Sequence, residues 1–190
     1  MDATERQPPM IVRWTRGLES ARALDAPVQA IEPAIRTLFG TGMRGSVLRG
    51  RWLGHTVHPV LTDVVIGTWN SASLLDLFGP RGSSAAATRL VGVGLIAVGP
   101  TAWTGWAEWS AAEPRDQRVG LVHAITNGLA IGVYTASWIA RQRGRHGAGA
   151  GLALAGAGVA GVGAYLGGHL AAARKVGTRD PAYDVAPHEV

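Results

Sequence analysis

The 190-residue chain has no cysteine and sets a single lysine against seventeen arginines. Without cysteine it can hold no disulfide, no thiolate-bound metal and no iron–sulfur cluster of its own. Phe and Tyr are scarce, at 2 and 3, whereas Trp reaches 7 and Gly 27. Charged residues make up only 16%, and from Val57 to Ala173 they gather in short clusters between long, nearly uncharged runs. Tryptophan is enriched at the membrane–water interface and glycine at helix contacts in lipid. This distribution points to an integral membrane protein. The formal charge of +5 does not point to nucleic acid, because the arginines flank apolar segments instead of lining a binding module.

Met1–Pro9 is polar and lacks the charged-then-apolar pattern of a cleaved leader, so insertion through internal segments is expected. Residues 1–50 read as a polar, arginine-containing segment. Within it Leu24, Val28, Ile31, Ile35 and Leu38 keep helical spacing, interrupted by Pro27 and Pro33. Two prolines favour short amphipathic helices on the surface or at the interface over a span. Residues 51–175 read as the transmembrane domain and 176–190 as a polar tail.

Four apolar segments follow, about 58–78, 85–106, 119–139 and 149–173. Each reaches the ~20 residues that cross ~30 Å of hydrocarbon. The expected fold is all-α, an integral membrane four-helix bundle in the plasma membrane. The first span is the least apolar, since Asp63, Asn70 and Asp76 interrupt it; Pro100 is expected to kink the second. From Arg36 onward the side carrying the N-terminus holds nine Arg and Lys (Arg36, Arg44, Arg49, Arg51, Arg115, Arg118, Arg174, Lys175 and Arg179), the other five: Arg81, Arg89, Arg141, Arg143 and Arg145. That balance places both termini in the cytoplasm. In the fourth segment Gly156, Ala160, Gly163 and Gly167 form a ridge of small residues suited to close helix approach. The match to G-x-G-x-x-G at Gly156, Gly158 and Gly161 is not a dinucleotide site, because no strand precedes it.

Threading the four segments brings His58, His123 and His169 to one side at similar depth. Ionisable residues at membrane depth are costly and are usually kept for function. Two chemistries suit converging imidazoles. Haem iron takes axial histidines from facing helices, which gives an electron-transfer centre. Alternatively, His58, His123 and His169 with Asp63 or Glu108 would hold a single transition-metal ion. His55 forms H-x-x-H with His58 and would assist it, while Thr62 or Asn127 would orient a ligand ring. On the fourth helix His169 shares a face with Gly151, Gly158, Val162 and Tyr165. The simpler reading leaves the histidines at the polar interface, structural or relaying protons in a cofactor-free membrane subunit or transport component. Trp103, Trp106 and Trp109 are expected in an interfacial belt, Asp76 at the interface, and His146 and His188 in solvent.

Several of these residues also compose a familiar pattern. The run from Gly54 through His55, His58 and Pro59 to Asp63, then Ile66-Gly67, resembles the DUF2231 family of membrane proteins. So do Thr104-Gly105-Trp106-Ala107-Glu108-Trp109, His123-Ala124 with Asn127, and Tyr165-Leu166-Gly167-Gly168-His169. The chain departs from the pattern at Thr56 and Val65, where that family carries proline; neither change removes a candidate ligand. The resemblance implies a membrane module found in some relatives fused to a Rieske-type domain, hence a possible Rieske-type redox partner and a setting near electron transfer.

Overall fold

The computed structural model describes residues 7–184. Among them there is no β-strand; one antiparallel bridge joins His55 to Arg179. Three short helices lead: α1 (Met10–Ser20), α2 (Asp25–Ile35) and α3 (Gly42–Leu48). Pro33 is tolerated in the last turns of α2, and a widened, π-type turn over Arg36–Gly40 follows it. Breaks at this spacing keep each helix too short to cross a bilayer.

Four long helices come next: α4 (His58–Phe78), α5 (Ser84–Trp109), α6 (Pro114–Gln142) and α7 (His146–Gly168). Prolines in the first turns of α4 and α6 fall where a missing N–H costs nothing. A π-type turn, His169–Ala173, closes α7. The helix of α5 continues through Pro100. Among the described residues three helices are long and apolar enough to cross a membrane: Ser84–Trp109, Pro114–Gln142 and His146–Ala173. The difference from the four expected spans lies in α4, whose apolar run Asp63, Asn70 and Asp76 dilute.

Helices α4 and α5 pack along each other, as do α6 and α7; α5 also meets α6, and α4 meets α7. The contact is built on small residues opposite large ones. Trp69 stacks on Tyr134 with centroids 3.8 Å apart and planes at 17°, and its Nε1–H donates to the Val91 carbonyl at 3.3 Å. Ala72, Ala87, Val91 and Ala153 complete this buried layer. A Cβ on Gly156 would stand 3.0 Å from the Tyr134 ring, so this glycine admits the stack. At the other end, Val28 of α2 packs with Trp109 and Leu121, which fastens the N-terminal segment over the α5–α6 turn.

One ionic tie sits at the end opposite His58. Arg141 of α6 forks onto both carboxylate oxygens of Asp76 on α4, with Nη1 donating to Oδ1 at 2.9 Å. The arginine side chain is fully buried and the aspartate 6% exposed. Arg141 Nε also donates to Ser137 Oγ at 3.2 Å, and Ser137 donates to the Gly149 carbonyl of α7 at 2.6 Å. Asp76 and Arg141, expected as an interfacial acid and a loop charge, are therefore one internal clamp across three helices.

Candidate functional site

His58 opens α4 and His123 lies in the third turn of α6. Both line a cavity of about 440 Å³ whose walls are mostly apolar. That volume lies within the ~300–1,000 Å³ usual for small-molecule and cofactor sites. Each imidazole is anchored through Nδ1. The His58 nitrogen lies 2.9 Å from the Thr101 carbonyl and 3.2 Å from Thr104 Oγ1. The His123 nitrogen lies 2.8 Å from the Gly163 carbonyl. A carbonyl only accepts, so Nδ1 donates in both rings and Nε2 is the nitrogen left for other chemistry. An Nδ1–H held by a backbone carbonyl is the usual way a ligating histidine is oriented.

Missing side chains make room for these rings. A Cβ on Gly105 would stand 2.8 Å from His58 Cε1, and one on Gly167 would stand 2.9 Å from His123 Cε1. Asn127, one turn beyond His123, donates from Nδ2 to its Nε2 at 3.0 Å. That contact uses the nitrogen a ligand would take, so the Gly163 carbonyl, not Asn127, holds the far side of the ring. Thr62 does not bond the His58 ring: its hydroxyl donates to the His58 carbonyl at 2.9 Å, and Thr101 and Thr104 orient the ring instead. Trp106 lines the cavity and meets Trp109 edge-on at 5.4 Å and 89°. Trp109 is buried and donates to the Gln117 carbonyl at 2.9 Å, whereas Trp103 is exposed. The expected aromatic belt is thus split between interior and surface.

The third histidine stands elsewhere. His169 is absent from the cavity wall and its Nε2 lies 2.7 Å from Glu19 Oε1 on α1. The reason is the face it occupies. Val162 and Tyr165, which share that face, are exposed, while Ala160, Ala164, Gly167 and Ala171 line the cavity. Glu19 is buried and also accepts from Arg174 Nε and Nη2. The Arg174 guanidinium beside it holds its carboxyl below the ordinary carboxylate value, against the opposing effect of burial. Arg118 completes this cluster, donating to the Glu19 carbonyl and to Asp25 Oδ1, both at 2.6 Å.

His55 is exposed, with Nδ1 3.1 Å from the Thr56 carbonyl, and Asp63 is exposed on α4. Neither lines the cavity. The expected convergence of His58, His123 and His169, with Asp63, thus becomes a pair. Among the described residues no three His, Asp or Glu side chains group as a metal ion would require. His146 is exposed at the start of α7, as expected, and His188 lies outside the described residues. Glu108 does reach the cavity, at its α5–α6 end. Its Oε2 accepts from both N–H and Oγ–H of Thr178, each at 3.0 Å. The Thr101 and Gly163 anchors are main-chain carbonyls that no residue type reveals, and the Thr104 hydroxyl is hidden because hydroxyls at helical spacing more often bond their own helix.

Apolar helices of spanning length around a cavity with two anchored imidazoles define an all-helical membrane protein with an internal ligand-sized site. The chain belongs to the DUF2231 family, described as predicted membrane proteins, whose model matches residues 54–180. No curated protein and no solved structure matches it.

Proposed function

We propose that this protein is a redox module of the membrane in which His58 and His123 would hold a b-type haem. The observation that carries the reading is the matched anchoring of the two rings on one cofactor-sized cavity, each Nδ1–H on a backbone carbonyl, with Nε2 unbonded on His58 and met only by the Asn127 amide on His123. The number of ligands favours haem over a bare ion. A structural or catalytic zinc-type site takes three or four protein ligands, whereas a porphyrin supplies four nitrogens and needs at most two from the protein. Two histidines are what this cavity presents. Bound there, haem would supply one-electron transfer, at a potential set by its surroundings.

The chain's own residues do the rest. Thr101 and Gly163 orient the rings, Gly105 and Gly167 leave room beside them, and the apolar walls exclude water. The proposed arrangement has α4 as a fourth span; its 21 residues extend ~31 Å at 1.5 Å per residue. It lies in the plasma membrane with both termini cytoplasmic, and its redox partner is a protein such as a Rieske-type domain. The test is optical. Protein expressed with ample haem should show a Soret band and a reduced-minus-oxidised difference spectrum. His58→Ala and His123→Ala should lose both, and His169→Ala should keep them. A folded, colourless preparation refutes the reading.

One contact favours a second reading. Asn127 already donates to His123 Nε2, as it would if the histidines only tied the helices or relayed protons in a cofactor-free subunit. In that case His123→Ala alters assembly or pH response and no variant changes absorbance.

A further inference from the structure

A second, smaller cavity of about 270 Å³ lies beside the α5–α6 turn and shares Glu108, Ala112, Asp116 and Val176 with the histidine cavity. Its wall also carries Glu113, Arg115, Arg174 and Lys175. The two carboxylates therefore stand at the neck between a polar vestibule and an apolar interior. Glu108 is 8% exposed and Asp116 5%. Glu108 Oε1 and Asp116 Oδ1 are buried with no hydrogen-bond partner among the described residues.

The neighbouring charges do not satisfy these oxygens. Arg115 Nε and Arg174 Nε lie 3.8 and 4.0 Å from Asp116 Oδ1, too far to donate. Arg115 instead meets Glu113 at 3.2 Å, and Arg174 is held by Glu19. Arg49, the cation acting on Glu108, donates to the Gly40 carbonyl at 2.9 Å. An ionised carboxylate with a dry, unpartnered oxygen is costly, and such a residue at membrane depth is usually functional. A cation or a proton would remove the cost. Hard cations want about six to eight oxygens; the neck offers two unpartnered ones, and Arg115, Arg174 and Lys175 repel positive charge. A proton needs one oxygen.

We propose that Glu108 and Asp116 form a proton-exchanging gate between the vestibule and the histidine cavity, each taking a proton from solvent onto its unpartnered oxygen and returning it. The O–H bond forms with the charge of one carboxylate cancelled, and it breaks with that charge restored. The proposal is independent of haem, since neither carboxylate is a ligand in that reading.

Infrared spectroscopy tests it on the full chain in nanodiscs, as purified. The carbonyl stretch of a protonated carboxylic acid should be present at neutral pH, shift in D2O, and vanish on raising the pH. Glu108→Gln should remove one component and Asp116→Asn another, with helicity by circular dichroism unchanged. Should Glu108→Gln fail to fold, Thr178→Val keeps the test alive. It deletes one of the two bonds to Oε2 and should move the Glu108 component without removing it. Three results overturn the proposal: no exchangeable carboxyl band, a band indifferent to all three substitutions, or a band abolished by sodium, potassium or calcium at constant pH.

Discussion

Breaking the Asp76–Arg141 clamp should be among the most damaging single changes available to this protein. The pair is bidentate, with the arginine side chain fully buried and the aspartate 6% exposed, so neither charge has water to return to. Asp76→Asn keeps the shape but leaves a buried guanidinium facing a neutral amide. Removing one partner of a buried pair costs about 3–5 kcal/mol. At ~1.4 kcal/mol per factor of ten, that is roughly a hundredfold to several-thousandfold shift toward the unfolded form. Replacing both partners, as in Asp76→Leu with Arg141→Met, removes the two desolvation costs together and should come within about 1.5 kcal/mol of the parent. Reversible unfolding in mixed detergent, read by tryptophan fluorescence and closed as a double-mutant cycle, measures both quantities. A loss below ~0.5 kcal/mol for Asp76→Asn would place the pair among ordinary surface bridges and refute the reasoning. So would a double variant as unstable as the two single changes added together.

Other outcomes follow from the site and from the N-terminal cluster. Gly167→Ala should displace the His123 ring, because the added Cβ would come within 2.9 Å of Cε1; overpacking of this kind costs about 1–3 kcal/mol, read as a drop in melting temperature and a weakened Soret band. Gly132→Ala, at an exposed position off the cavity wall, has no atom within 4 Å to meet and should leave both unchanged. The folded-state value of Glu19 is depressed below its ordinary 4.5, so its contribution is complete above that value and is lost as pH falls through the lower, folded one. Acidification below about 4.5, or Glu19→Gln at neutral pH, should therefore increase hydrogen exchange in residues 10–35 while α6 and α7 stay protected.

The long helices were legible because hydropathy is a local property: α4 keeps the expected bounds, and α5, α6 and α7 differ from expectation by a few residues at their ends. Short helices do form in the lead segment, but Pro27 and Pro33 both lie within α2 and the break falls at Ala21 instead. What faces what was not legible. On α7 nearly every position is small or aliphatic, so helical spacing placed His169 on a face with Val162 and Tyr165 without revealing that this face looks outward. The inward face, with Gly163 and Gly167, is distinguished only by the residues that arrive from α6, Asn127 and His123. Asp76 and Arg141 lie 65 positions apart, and only the packing of α4 against α6 and α7 turns two apparent interfacial charges into a clamp.

The clamp and the histidine pair stand at opposite ends of the same helices. Helix α4 begins at His58 and carries Asp76 near its last turn; helix α6 carries His123 near its start and Arg141 at its end. The clamp itself is buried and charge-balanced, with the Arg141 donors matched by Asp76 and Ser137. The histidine end is left unbalanced, with two carboxylate oxygens lacking donors and the Nε2 of His58 without a bond among the described residues. A protein selected only for stability would not leave buried polar atoms unmatched at one end while matching them at the other. The asymmetry supports the proposed placement of the site at the His58–His123 end. It also predicts that substitutions there, unlike those at Asp76, change spectra and proton uptake more than they change unfolding.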